Sequence, residues 1–160
     1  SVVLPMFYKN QLPESVNHFR IGETLFFGAN IEEGTVFEGM HEDVFKLRTE
    51  IIELTEKPMV PVGELAENPS GDTLEVDESL YGKTSLRAIL DVGLLDISPD
   101  FLLPYDENIE IVGASSDMLV LDLGKSEKDY KVGDLVDFRL KYMGALGIMN
   151  SNYIEKRLKN

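Results

Sequence analysis

The chain has 160 residues, 43% of them hydrophobic, with 29 acidic against 15 basic side chains and a net charge of −14. That length suits one domain, or one domain with a fragment of another, and the apolar share is enough to bury a core, which excludes a disordered segment. So acidic a surface repels phosphate backbones, which excludes nucleic acid as a partner and favours cationic small molecules at long range.

No apolar run approaches the roughly 18 residues that would span a membrane, so no membrane association is expected. The opening "SVVLPMFYKNQ" has neither a basic segment nor a long apolar one and is not a signal peptide. It also lacks an initiator methionine, and the expectation is a processed or cut chain. With no cysteine there are no disulfides and no thiolate chemistry, which fits a cytoplasmic protein. His18 and His41 alone cannot build a histidine-rich metal site, and no metal centre is expected.

In chain order, "LPMFYKNQLPE" allows a short helix between Pro5 and Pro13, because the second proline stops it. "RIGETLFFG" reads as a buried strand bounded by Gly28. From "VFKLRTEIIEL" (44–54) the period becomes two: Phe45, Leu47, Thr49 and Ile51 alternate with charged neighbours, predicting a half-buried strand. "KPMVPVGELAENPSGD" (57–72) carries three prolines and two glycines and reads as a loop or interrupted edge. "SLRAILDVGLL" (85–95) alternates Leu86, Ala88, Leu90 and Val92. "IEIVG" and "MLVLDLG" predict two strands joined by "ASSD". In "DYKVGDLVDFRLKY", Gly133-Asp134 predicts a turn before a strand whose dry face is Val136, Phe138 and Leu140. The closing "GALGIMNSNYIEKRLKN" is compatible with a helix. The whole reads as mainly β, with helical pieces at both ends.

The carboxylates are scattered along strands and loops, as solvated surface charges are. The "GASSD" turn (113–117) presents hydroxyls and backbone N–H groups at a sheet end, where ligands often sit, although Gly, Ser and Asp are also ordinary turn residues. There is no phosphate-binding glycine loop, no dinucleotide fingerprint and no nucleophile elbow. Composition and spacing alone lead to an acidic β-domain with a polar turn.

Several segments resemble the carboxy-terminal part of pyridoxal-phosphate-dependent amino-acid racemases of the alanine-racemase-like superfamily, above all the group that includes ornithine racemase. They are "SVVLP", "LPESVNHFRIGETLFFG", "EIIELTEKPMVPVGE", "LRAILDVGLLDI", "ENIEIVGASSDMLVLDL", "DYKVGDLVDFRLKYMGAL" and "MNSNYIEK", in the family's order. "RIGE" and "GASSD" at this spacing are the specific part, and "ENPSGDTLEVDESLYG" (67–82) diverges. The resemblance implies that residues 1–28 are the end of a (β/α)₈ barrel that carries the cofactor, and that residues 29–160 are the C-terminal β-domain. It implies that Ser1, the backbone of Ile21 and Gly22, and Tyr142 bind the cofactor phosphate, with Arg20 facing the pyridine nitrogen. Ser115, Ser116 and Asp117 match the place where the β-domain enters the partner subunit's active site, so Arg20, Ser116 and Asp117 are the candidate catalytic residues. A homodimer with shared active sites follows, acting on an amino acid that is ornithine-like. The α-proton would be removed and returned on the opposite face. The cofactor lysine would lie in a preceding barrel, so the chain alone is expected to be inactive. Where distant relatives carry a tyrosine as second base, "KPMVPVGEL" has none; Tyr81 and Tyr105 stay open for that role. Two alternatives stand beside this reading: a basic amino-acid decarboxylase of the same architecture, and a non-catalytic β-domain that binds a partner protein.

Overall fold

A computed structural model describes residues 3–60, 62–63 and 77–158. Three helices, α1 (Val3–Tyr8), α2 (Glu23–Phe27) and α3 (Tyr142–Asn150), flank a mainly β structure. β1 (Ala29–Asn30) and β2 (Thr35–Val36) pair with each other. β3 (Lys46–Pro58), β4 (Thr84–Leu90), β5 (Leu102–Pro104), β6 (Glu110–Ala114), β7 (Leu119–Asp122) and β8 (Leu135–Leu140) form an antiparallel six-stranded sheet in the order β5-β8-β3-β4-β7-β6.

This sheet cannot be flat. β5 and β6 are its opposite edges, yet only residues 105–109 join them. Five inter-strand spacings of a flat sheet measure about 24 Å, whereas six peptide steps reach at most about 21 Å when fully extended. The connection is also folded on itself by the Ile109 N–H bond to Asp106 O, 3.1 Å. The sheet must therefore curl until its edges approach, which makes a nearly closed barrel. The core agrees: Leu47, Leu90, Leu102, Leu121 and Phe138, from five different strands, belong to one buried cluster. β3 makes the corner. Its first half pairs with β8 and its second half with β4, and the register slips between Ile51 and Glu53, as a bulge that bends a strand requires.

The period-two segments fold as their pattern dictates. Leu47, Thr49 and Ile51 point into the core from β3, with Phe45 packed partly against it, and Val136, Phe138 and Leu140 do the same from β8. Gly133 has φ 91° in the turn that starts β8, a left-handed conformation open to glycine. On β4 the buried side is Ala88 and Leu90, continued by Val92, while Leu86 is partly exposed. β6 and β7 pair as the expected hairpin. β3 extends to Pro58, into the segment expected to be a loop, and most of that segment's remainder lies outside the described residues.

Two local expectations are corrected. "RIGETLFFG" contains a single helical turn, α2, and not a strand. Gly28 at φ 65° closes it, donating its N–H to Thr24 O at 2.9 Å. Thr24 is buried and Phe27 half-buried, three residues apart on one face, while Leu25 and Phe26 face out. A short apolar run cannot separate helix from strand without that spacing. α1 starts before Pro5, which sits in the first turn where its missing N–H costs nothing. It ends at Tyr8, well short of Pro13, and the chain leaves it through Asn10, whose φ is 53°. Gln11 N–H bonds Met6 O at 2.9 Å and Asn10 N–H bonds Phe7 O at 3.0 Å, the paired bonds of a left-handed helix cap.

Candidate functional site

The segment before β1 and the start of α3 meet in a cleft of about 440 Å³ lined by Arg20, Ile21, Gly22, Glu23, Ile31 and Tyr142. Local structure explains the meeting. The buried Thr24 hydroxyl donates to Ala29 O at 2.7 Å, which folds the chain back after α2. Phe27 then stacks on Phe45 at 5.5 Å and meets the Tyr142 ring edge-on at 6.0 Å. α3 is seated by Gly144, where a Cβ would stand 2.8 Å from Phe101 Cβ. Tyr142 is the first residue of that helix.

Gly22 is fitted to Tyr142. A Cβ on Gly22 would lie 2.7 Å from the Tyr142 hydroxyl, closer than such atoms approach. The hydroxyl therefore stands over the Gly22 backbone in a space that only glycine leaves open. Arg20 is exposed at the cleft and makes no hydrogen bond or ion pair among the described residues. A guanidinium and a tyrosine hydroxyl beside open backbone form a donor-rich cradle suited to an anionic group.

Of the residues singled out in the sequence, Arg20, Ile21, Gly22 and Tyr142 are thus brought together across more than a hundred residues of chain. Ser1 lies outside the described residues. Ser116 and Asp117 do not line the cleft; they stand exposed on the β6–β7 turn, where Ser116 Oγ donates to Asp117 Oδ2 at 2.6 Å. Glu23 and Ile31 complete the cleft. Glu23 belongs to "RIGE", a visible signal, whereas nothing in the sequence marks Ile31.

The turn is held from beneath. Leu94 and Leu95 donate their N–H groups to Ser115 O and Ser116 O, both at 2.9 Å, and Ser115 N–H bonds Met118 O at 2.8 Å. A Cβ on Gly93 would lie 2.4 Å from Met118 N and 2.5 Å from Asp117 C and Ser116 O. The same loop is pinned at both ends. Asp91 accepts from Thr49 Oγ1 and from Glu50 N–H, and Asp96 accepts from Ser151 Oγ at 2.9 Å. Tyr105, one candidate for the second base, lies under Lys46 Nζ at 4.5 Å, and Tyr81 is exposed. No group of three or more acidic or histidine side chains is placed to hold a metal ion among the described residues.

Over 150 residues the chain is 40% identical to ornithine racemase of Acetoanaerobium sticklandii, covering 94% of this chain and 42% of that protein. It is 36% identical over 146 residues to lysine racemase of Thermotoga maritima, covering 91% of this chain and 40% of that protein. The chain is similar to these racemases over nearly its whole length. It spans about two fifths of the length of these curated relatives. No family model matches it. Among solved structures, biosynthetic alanine racemase from Pseudomonas aeruginosa overlaps 57% of this chain and 25% of its own, at 24% identity and a TM-score of 0.38. Alanine racemase from Acinetobacter baumannii overlaps 65% and 29%, at 20% identity and a TM-score of 0.36. Among the described residues, no helix is long and apolar enough to cross a membrane.

Proposed function

We propose that the chain is the C-terminal part of a pyridoxal-phosphate-dependent racemase of a basic diamino acid, residues 1–28 closing the cofactor barrel and residues 29–160 forming the β-domain. The observation that carries the reading is the convergence of Arg20, Ile21, Gly22 and Tyr142 on one cleft, in a chain similar to ornithine and lysine racemases. The donor set fits the cofactor, since the space that a side chain at Gly22 would fill lies beside the Tyr142 hydroxyl. The acidic surface suits a cationic substrate, and the absence of cysteine suits a cytoplasmic setting.

Bound pyridoxal phosphate supplies the electron sink that makes an α-proton removable. Backbone N–H groups of Ile21 and Gly22, with the Tyr142 hydroxyl, would hold its phosphate, and Ser1 would share that role. Arg20 offers donors and no acceptor, so beside a ring nitrogen it favours the unprotonated ring. Ser116 and Asp117, on a turn clamped by the 93–95 backbone, enter the partner subunit's site in a homodimer, where they orient the proton-transfer groups. The lysine that holds the cofactor belongs to the preceding barrel, so activity is expected of the whole protein and not of this chain alone.

The test is incubation of the whole protein with pyridoxal phosphate and L-ornithine or L-lysine in D₂O, followed by chiral separation. The expected product is the D-enantiomer bearing deuterium at the α-carbon. Diamine and carbon dioxide would establish a decarboxylase instead, and no turnover of either amino acid would overturn the reading.

A further inference from the structure

The chain has five arginines, at positions 20, 48, 87, 139 and 157, within a sequence of 29 acidic residues. Three have carboxylate partners: Arg48 with Asp137, Arg87 with Asp122 and Arg157 with Glu155. Arg20 belongs to the cleft already described. The side chain of Arg139, next to last in β8, makes no hydrogen bond or ion pair among the described residues, and its Nε is buried without a partner. An unsatisfied buried donor is costly, and more so on a charged group.

The surroundings deepen the anomaly. Arg139 stands directly opposite Lys46 in the β3–β8 register, two like charges across one ladder, an arrangement that destabilises unless something lies between them. Both lie over the Tyr105 ring, Lys46 Nζ at 4.5 Å from its centroid and the Arg139 guanidinium carbon at 5.7 Å. The neighbouring carboxylate cannot neutralise the pair. Asp137 accepts from Arg48 Nε at 2.7 Å and Nη2 at 3.2 Å, and from Lys46 Nζ at 3.2 Å, so its oxygens are engaged. Three cations and one anion thus leave a local excess of positive charge in an otherwise strongly acidic chain. Asp106, in the adjoining cleft of about 270 Å³, is engaged by Ser126 Oγ at 2.6 Å and by Asn108.

We infer that Arg139, with Lys46 and the face of Tyr105, forms a binding site for a carboxylate group. A guanidinium fork presents paired donors matched to a carboxylate, and an ammonium beside it adds a second charge. The carboxylate can come from a small molecule or from an acidic side chain of another polypeptide, and one experiment separates the two.

The ¹⁵N-labelled chain is titrated with sodium acetate against a sodium chloride control, following the Arg139 Nε–H resonance, which is assigned by its loss in Arg139→Lys. Sedimentation equilibrium is run alongside. A monomer whose resonance shifts saturably with acetate identifies a site for a free carboxylate. Self-association that acetate reverses and Arg139→Lys weakens identifies an acidic side chain of a second copy. In either case Arg139→Lys should weaken acetate binding by about tenfold, because it keeps the charge and loses the planar fork, and Lys46→Gln should weaken it less. Circular dichroism checks that both variants fold. A resonance that follows the chloride control, with no association for acetate to reverse, overturns the inference.

Discussion

At the scale of single residues, the cleft depends on an absent atom. Gly22 has φ −118°, outside the left-handed region that favours glycine, so Gly22→Ala should act chiefly through the contact of 2.7 Å with the Tyr142 hydroxyl. Overpacking of this kind costs about 1–3 kcal/mol. Removing the hydroxyl leaves the Tyr142 ring carbon at 3.5 Å, an ordinary contact. Gly22→Ala should therefore lower the melting temperature in the native background and have little effect in Tyr142→Phe; equal losses in both would show that the two residues do not meet. Asp137 gives a second expectation. Its hydrogen bond from Arg48 holds the carboxyl below the usual carboxylate range, against burial, with Lys46 assisting. A depressed pKa means stability that is complete above about pH 4, the ordinary aspartate value, and lost as pH falls through the depressed one. Asp137→Asn should unfold at lower urea than the native chain at neutral pH, and the gap should close progressively in acid. A gap that persists or widens in acid would exclude the ion pairs as its source.

At the scale of elements, the 91–97 loop sets the shape of the turn that bears Ser116 and Asp117. Gly93→Ala forces the backbone at 116–118 to move, because the clash is with main-chain atoms and no rotamer relieves it. Faster amide exchange at Leu94 and Leu95 is expected, together with loss of activity in the whole protein mainly through kcat. Protected amides at both positions would mean that the turn absorbs the methyl. Gly93 gave no signal in the sequence, since its constraint comes from a segment more than twenty residues away. The strands were legible for the opposite reason. β3 and β8 each bury one face, so their requirement is written in every second residue. α2 was not legible, because a single turn of helix offers too few residues to show a period. β1 and β5, of two and three residues, are equally mute. The cleft was reached through the resemblance carried by "RIGE". Composition alone would have left Arg20 a surface charge, and no local pattern links it to Tyr142.

At the scale of the whole molecule, the proposed dimer assigns the two groups of site residues to different subunits: Arg20 serves its own cleft and Asp117 the partner's. Mixing whole proteins that carry Arg20→Glu and Asp117→Asn should then restore about a quarter of native activity under random subunit exchange, if each variant alone is inactive. Exchanging dimers that stay inactive would place both groups in one subunit's site. The barrel has a further consequence. β8 lies between β5 and β3 in the sheet, yet it is the last strand of the chain. Arg48 and Asp137, which bond across that junction, are 89 residues apart in sequence. During synthesis β3 and β5 therefore emerge with no neighbour on the sides that will face each other, and each exposes an unpaired backbone edge until Leu135–Leu140 arrives. Such long-range closure makes folding slow and leaves the nascent chain open to pairing with other chains. The acidic charge that covers the finished surface, with its mutual repulsion between copies, is then also what guards the unfinished one.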